Sequence, residues 1–273
     1  MSETVSANET RATEAAIKAR FELAATIALE AGRHAFAAWK ERDQLTIDAK
    51  TSAQDVVSNA DKETETLIRA RVGAAFPDDG FIGEEFGESP GHSGFVWVLD
   101  PIDGTSPFVF GLPSWCVSIA VMLQDDVKIG IIHAPVRDET FKAMSGKGAW
   151  LNDVPLRLDP NRTLTDGLLG VGANLRVDPA LIASFIERLM RAGGMFIRNG
   201  SGALMLAYVA AGRLVGYYEP HINAWDCLAG LCLIREAGGW TERFPHAAPL
   251  LSGSRIIAAT PAARAQLLDL IAA

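Results

Sequence analysis

Val96-Trp97-Val98-Leu99-Asp100-Pro101-Ile102-Asp103-Gly104-Thr105 is the stretch whose reading decides the rest. An apolar strand delivers Asp100 at its end, Pro101 bends the chain, and Asp103 returns a second carboxylate just ahead of Gly104-Thr105. A helix is predicted to start there, with Pro107 at its first position. Two carboxylates and the backbone carbonyl between them are an all-oxygen set. Such a set suits a hard cation such as Mg2+, which takes few protein carboxylates and leaves room for water and phosphate oxygens. Free N–H groups beyond Asp103 can receive an anion, as helix N-termini do. An Asp-Pro turn with solvated carboxylates fits the same residues, and for an Asp-x-x-Asp alone it is the more ordinary reading.

Working outward, Gly83-Glu84-Glu85 follows the short strand Phe81-Ile82-Gly83, so one acid of the pair can aim where Asp100 does. By itself the pair reads as solvated surface. Downstream, Ala224-Trp225-Asp226 opens a helix whose Leu228, Leu231, Cys232, Leu233 and Ile234 leave little polar face, so it must be buried. Asp226 then either answers the helix dipole beside an Asn223 cap or joins the acidic set. Near the N-terminus, Ile17, Phe21, Ala24, Ala28, Ala31 and Ala35 recur at gaps of four and three on one face of a long helix. Ser58-Asn59-Ala60-Asp61 has capping-box form and starts a second helix, closed by Phe76-Pro77-Asp78-Asp79-Gly80. Val117 to Leu123 and Lys128 to Ile132 flank an Asp-rich turn as a hairpin. The second half mixes strands at Leu168–Val171 and Leu214–Glu219 with helices over 179–192, 203–211 and 225–237. Interleaved strands and helices predict an α/β fold in layers. Residues 1–10 read as a flexible tail, and 11–273 as a single domain of two closely packed halves, about 11–160 and 161–273.

The 273 residues are 49% hydrophobic and 21% charged, which excludes whole-chain disorder. With 25 basic and 33 acidic residues the net charge is −8, so the basic footprint of a nucleic-acid or anionic-membrane binder is missing. Cys116, Cys227 and Cys232 are odd in number and sit in apolar surroundings, which fits a reducing compartment better than a disulfide framework. No apolar run approaches the roughly 18 residues of a membrane span, and the polar N-terminus carries no signal core. A cytoplasmic protein is expected.

Together these segments resemble the inositol monophosphatase family of Mg2+-dependent, lithium-sensitive phosphomonoesterases. The resemblance is carried by Gly83-Glu84-Glu85, by Asp100-Pro101-Ile102-Asp103-Gly104-Thr105, and by Trp225-Asp226-Cys227-Leu228-Ala229-Gly230 with Arg235-Glu236-Ala237-Gly238-Gly239 behind it. Lys50-Thr51-Ser52 and Asp55 to Asp61 match the family's N-terminal element, and order and spacing agree from about residue 12 to the C-terminus. The resemblance implies alternating helix and sheet layers of the inositol monophosphatase/fructose-1,6-bisphosphatase type and a homodimer. It implies two to three Mg2+ ions: one on Glu84, Asp100 and the Ile102 carbonyl, a second on Asp100, Asp103 and Asp226, and a weaker third touching Glu84. Thr105 would pair with Asp61 to orient the attacking water, leaving Asp61 with two compatible readings, capping residue and catalytic partner. Gly104 and Thr105 N–H groups would receive the phosphate, and Ser201, Gly202, Ala203 and Glu219 would line the substrate pocket. The implied activity is hydrolysis of a small phosphate monoester, inositol monophosphate or a similar polyol or sugar phosphate, with neither nucleic acid nor membrane as partner.

Ser106-Pro107-Phe108 departs from the family, which often has Asn before Phe there, and so do His221-Ile222-Asn223 on the substrate side. Val96 to Asp100 and Gly111-Leu112-Pro113-Ser114-Trp115 are also similar to histidinol-phosphate phosphatases of the same superfamily, which makes histidinol phosphate the alternative substrate. A non-catalytic interaction protein on the same fold is a further alternative; the presence of all four acids favours an enzyme. His92, His133, His221 and His246 share no metal-ligand spacing and are expected at surface or structural positions.

Overall fold

The computed structural model describes residues 2–49, 56–245 and 249–273, so the Lys50-Thr51-Ser52 segment, Asp55 and His246 lie outside the described residues. Helix α1 (Ser2–Lys40) begins inside the segment expected as a tail, where no Pro or Gly interrupts helical backbone. Its Ala24, Ala28, Ala31 and Ala35 are fully buried, as the four-three spacing requires. A small antiparallel ribbon of β1 (Ile47–Ala49) and β2 (Val56–Ser58) leads into α2 (Asn59–Ala75), which Ser58 and Asp61 start with a reciprocal capping box.

An eight-stranded sheet follows: β3 (Gly80–Gly83), β4 (Gly87–Ser89), β5 (Phe95–Asp103), β6 (Cys116–Leu123), β7 (Asp126–Ala134), β8 (Glu139–Met144), β9 (Gly148–Leu151) and β10 (Val154–Pro155). Its order is β10-β9-β8-β7-β6-β5-β3-β4, with only β3 and β5 parallel. Helix α3 (Thr105–Val109) leaves the end of β5 with Gly104 as its N-cap. Pro107 therefore stands third in that helix and not first; the N–H it lacks would have had no partner within the helix.

The later segments are β11 (Leu168–Val171), α4 (Pro179–Arg191), β12 (Met195–Ile197), α5 (Gly202–Ala210), β13 (Gly216–Ile222), α6 (Ala224–Glu236), β14 (Trp240–Thr241), α7 (Pro249–Ser252), β15 (Ser254–Ala259) and α8 (Arg264–Ala272). Their five strands run in the order β12-β11-β13-β15-β14.

Three apolar clusters order the layers. Trp97 and Leu99 of β5, with Val117, Ile119 and Ile131, pack against Ala24, Ile27, Ile68 and Val72 of α1 and α2. Val98, Ala120 and Ile132 point the other way, to Leu204 and Leu206 of α5 and Leu231 and Leu233 of α6, and Tyr217, Ile256 and Ala258 of the second sheet close over these from beyond. The far face of that sheet, Leu169, Tyr218 and Ile257, rests on Ile182 and Phe185 of α4 and Leu267 of α8. Helix, sheet, helix, sheet and helix layers alternate, and burial of each large side chain contributes about 1.5–3 kcal/mol. The expected layered α/β fold is the one observed. Alternation along β5 puts Asp100 on the face of Val98, toward α5 and α6, where the site forms.

Candidate metal and phosphate site

Asp100 and Asp103 are an odd number of residues apart, and on a regular strand they would face opposite ways. The ladder between β5 and β6 removes the conflict: Asp100 is opposite Ser118 and Asp103 opposite Cys116, so three steps on one strand match two on the other. This bulge holds Pro101, whose missing N–H would break a regular ladder. Both carboxylates thereby turn to the same side and are buried. Ile102 N–H donates to Asp100 Oδ1 at 3.0 Å and closes the turn.

Glu84 comes from the corner between β3 and β4, and Asp226 from the first turn of α6. One ligand oxygen each from Glu84, Asp100 and Asp226 lie within 4.8 Å of one another. Asp103 stands beside this trio. Its Oδ2 accepts from the Ser201 hydroxyl at 2.6 Å and the Ala203 N–H at 2.6 Å, which fastens the first sheet to the start of α5. Ser201 and Ala203, expected to line a substrate pocket, are fully buried and hold Asp103, whereas Gly202 does line the cavity. Asp226 also accepts from the Asn223 N–H at 3.2 Å, so the cap reading and the cluster reading both describe it.

The electrostatics are adverse. Burial, then repulsion from Glu84, Asp103 and Asp226, holds the Asp100 carboxyl well above the usual range. Asp226 is pushed up by burial and by Asp103 and Glu84, and it shares a hydrogen bond with Asp100. Asp103 rises to about 7, burial outweighing the bonds from Ser201 and Ala203. Buried carboxylates that repel one another this strongly need a compensating cation. An all-oxygen donor set fits a hard divalent ion such as Mg2+.

Asp61 is fully buried at the start of α2. Its Oδ2 accepts from the Ser58 N–H at 2.9 Å and the Ser58 hydroxyl at 2.6 Å, while Oδ1 lies 3.3 Å from Thr105 Oγ1. The Thr105 hydroxyl is also 3.2 Å from the Ile102 carbonyl. One oxygen caps and the other faces the site. Burial raises the Asp61 pKa to about 6 against the Ser58 bonds, with Glu84 and Glu85 adding repulsion. Gly104, at φ +95°, needs glycine twice over, since a Cβ there would also lie 2.8 Å from the Ser114 carbonyl.

Sequence reasoning missed Glu65 and Arg69 of α2. Glu65 is fully buried; its Oε2 accepts from the Glu85 N–H at 2.9 Å and its Oε1 from Arg69 Nε at 2.7 Å. Arg69 continues to the Gly87 carbonyl and the Ser89 hydroxyl. The pair clamps the corner that presents Glu84. Gly83 makes room for it, because a Cβ there would overlap Glu65 Oε1 at 2.0 Å. The signal in the sequence was Gly directly before the two acids.

On the far side a cavity of about 180 Å3 is bordered by Asp103, Asp226, Gly202, Asn174, Tyr217 and Glu219. Glu219, buried on β13, accepts from Asn174 Nδ2 at 3.0 Å through Oε1 and from the Tyr217 hydroxyl through Oε2. Burial raises its pKa, while Tyr217, Asn174, Arg198 and Arg176 favour ionisation. Pro107 is buried against Gly200, another residue of the cavity wall. Of the histidines, His133 is buried and bonded to the Thr140 hydroxyl, His221 donates to the Ser252 carbonyl, and His92 is exposed. Among the described residues none of them belongs to a metal-binding cluster. The three cysteines are free and buried.

The model of the inositol monophosphatase family matches residues 14–273. The chain belongs to the inositol monophosphatase family. Among its relatives, the Nus factor SuhB of Pasteurella multocida (strain Pm70) is 36% identical over 252 residues, covering 91% of this chain and 94% of that protein. The inositol-1-monophosphatase of Rhizobium meliloti (strain 1021) is 38% identical over 229 residues, covering 82% and 86%. Among solved structures, the extragenic suppressor protein suhB from Bartonella henselae superposes with a TM-score of 0.86 at 33% identity, covering 93% of this chain and 98% of that one. The Thermotoga maritima IMPase gives 0.82 at 29% identity over 93% and 96%. The family's fold is the layered one described above, and its members include phosphatases of small phosphate esters. No helix among the described residues is long and apolar enough to cross a membrane.

Proposed function

We propose that this chain hydrolyses a small phosphate monoester, inositol monophosphate or a comparable polyol or sugar phosphate, with Mg2+ held by Glu84, Asp100, Asp103, Asp226 and the Ile102 carbonyl. The observation that carries this reading is the convergence of Glu84, Asp100 and Asp226, from three separate segments, to within 4.8 Å despite their repulsion. Two to three Mg2+ ions would neutralise that charge, acidify a water and stabilise the leaving oxygen. The protein's own groups do the rest. With its proton directed to Asp61 Oδ1 or the Ile102 carbonyl, Thr105 Oγ1 keeps lone pairs for a water proton, which turns that water's own lone pair toward phosphorus. Asp61 ionises above about pH 6 and can then draw the proton onward. The N–H groups of Gly104 and Thr105 receive phosphate oxygens. Glu219, fixed by Tyr217 and Asn174, meets the alcohol. A net charge of −8 supports a small-molecule substrate over nucleic acid, and three free thiols support a reducing, cytoplasmic setting. Family resemblance supports a homodimer.

Relatives named Nus factor SuhB favour a second reading, a role exercised through binding and separable from turnover. Retention of all four acids supports catalysis. Phosphate release from inositol 1-phosphate, measured with Mg2+ and with EDTA, tests the proposal: turnover should require the metal. A folded protein that releases no phosphate in Mg2+ from polyol esters, sugar esters or histidinol phosphate would favour the second reading.

A further inference from the structure

The cavity beside the acidic cluster has a second charged end. Its wall includes Arg176, between β11 and α4, and Arg198, between β12 and α5. Arg198 Nη2 donates to the Ala173 carbonyl at 3.0 Å and ties the two loops together. The Arg176 N–H donates to Asn174 Oδ1 at 2.9 Å, so this loop is anchored to the residue that also holds Glu219. Seven other arginines form ion pairs: Arg20, Arg69, Arg71, Arg162, Arg191, Arg213 and Arg255. Arg176 and Arg198 have no carboxylate within 4.0 Å among the described residues. Both lie in the field of Glu219, yet its two oxygens are taken by Asn174 and Tyr217. Other arginines, Arg33, Arg157 and Arg188 among them, also have no ion pair among the described residues; what sets Arg176 and Arg198 apart is that both border the cavity that holds Glu219.

One carboxylate against two guanidiniums leaves a net positive charge at the end where the alcohol would sit. A neutral polyol makes no use of it, and a cationic alcohol such as histidinol would be repelled. Guanidinium groups bind carboxylate and phosphate in a planar, two-point geometry. We propose that this cavity selects phosphate monoesters whose alcohol carries a carboxylate, held by Arg176 and Arg198. The proposal rests on the phosphatase reading above and narrows its substrate class.

Three esters with one ring and one scissile phosphate test it: glucuronic acid 1-phosphate, glucose 1-phosphate and glucosamine 1-phosphate. At low ionic strength kcat/KM should favour the glucuronate ester over the glucose ester by about three- to tenfold, the range two partly exposed ion pairs supply, with the glucosamine ester lowest. The preference should shrink with added salt. The double variant Arg176→Gln/Arg198→Gln should bring the ratios close to one. Arg176→Gln alone, a change at an exposed side chain that leaves the Arg198 bridge intact, should remove part of the preference. Equal kcat/KM for the three esters in the wild type, or an unchanged ratio in the double variant, overturns the proposal. Absence of turnover on every ester would sink the phosphatase reading instead. Calorimetric titration of the same esters into the Mg2+-loaded protein then decides: tighter binding of the glucuronate ester, lost in the double variant, upholds the anion pocket, and equal binding refutes it.

Discussion

Replacing Asp100 by Asn should make the metal-free protein more stable while destroying its response to Mg2+. The Asn keeps an oxygen for the Ile102 N–H and offers an NH2 to Asp226, with which Asp100 already shares a hydrogen bond. What it removes is a buried like charge. At an effective dielectric constant of about 20, two unit charges at the 4.8 Å that bounds the cluster repel by roughly 3.5 kcal/mol. Partial protonation already relieves some of this in the wild type, so the expected gain is about 1–3 kcal/mol. For 273 residues about 2 °C accompanies each kcal/mol, which puts the variant roughly 2–6 °C above the wild type in EDTA at pH 7.5. Mg2+ at a hundredfold excess over its dissociation constant should raise the wild-type Tm by about 5 °C, from ~2.7 kcal/mol of linkage, and leave the variant unmoved. Thermal melts with and without Mg2+, beside a phosphate-release assay, read all three effects. A variant that melts below the wild type in EDTA, or gains as much from Mg2+, would show that Asp100 is a structural acid and that the repulsion argument is wrong.

Metal-free stability should also fall as pH rises from 5 to 8. Asp61 and Asp103 titrate near 6 and 7 in the fold against 3.8 as reference, so their contribution is full below about pH 4 and lost as pH climbs through the folded values. For Asp61 the roughly two-unit shift is worth about 3 kcal/mol, and a flat Tm profile in EDTA would contradict it. Thr105→Ala should lower kcat about 100-fold on every ester with little change in KM; a KM effect confined to one ester would move Thr105 out of the water-positioning role. Glu65→Gln should raise the Mg2+ concentration for half-maximal Mn2+-competed binding about tenfold, through the loosened Glu84 corner. A fall in Tm with metal binding intact would make Glu65 a stability residue only. Li+ should inhibit turnover at concentrations where Na+ does not, and equal responses would mark a departure from the family pattern.

Local signals were read well where one element sufficed. The capping box at Ser58 and Asp61 is visible because its partners are three residues apart, and α6 announces itself by an apolar surface on every side. The sequence also named the four acids. Their arrangement was less accessible, because the groups that hold them come from afar: Ser201 and Ala203 reach Asp103 across 98 and 100 positions, and Thr105 reaches Asp61 across 44. The burial of Glu65 depends on a missing side chain at Gly83, on another element, so the only trace of it in the sequence is the glycine before the two acids, which does not name its partner. The strand ending at Asp100 in the sequence runs on to Asp103 in the structure, because a proline inside a strand is readable as a stop but not as a bulge. Short strands such as β9, β10 and β14 are too brief for their periodicity to register.

The bulge at Pro101 has a counterpart in the other sheet. On β13, Glu219 is opposite Ile256 and Ile222 opposite Ser254, again three residues against two, and again the residue after the carboxylate is a proline, Pro220. In the first sheet the slip brings Asp103 round to the side of Asp100; in the second, Glu219 already shares the face of Tyr217, and the slip brings Ile222 back to that face, so that all three border the cavity. The site is in this sense a matter of parity. A relative that loses or gains one residue between Asp100 and Asp103 would keep both aspartates in its composition yet turn one of them onto the opposite face, so the count of residues between the acids carries as much information as the acids themselves. Insertions elsewhere in surface loops change a length; here a single one changes which side of the sheet the chemistry is on.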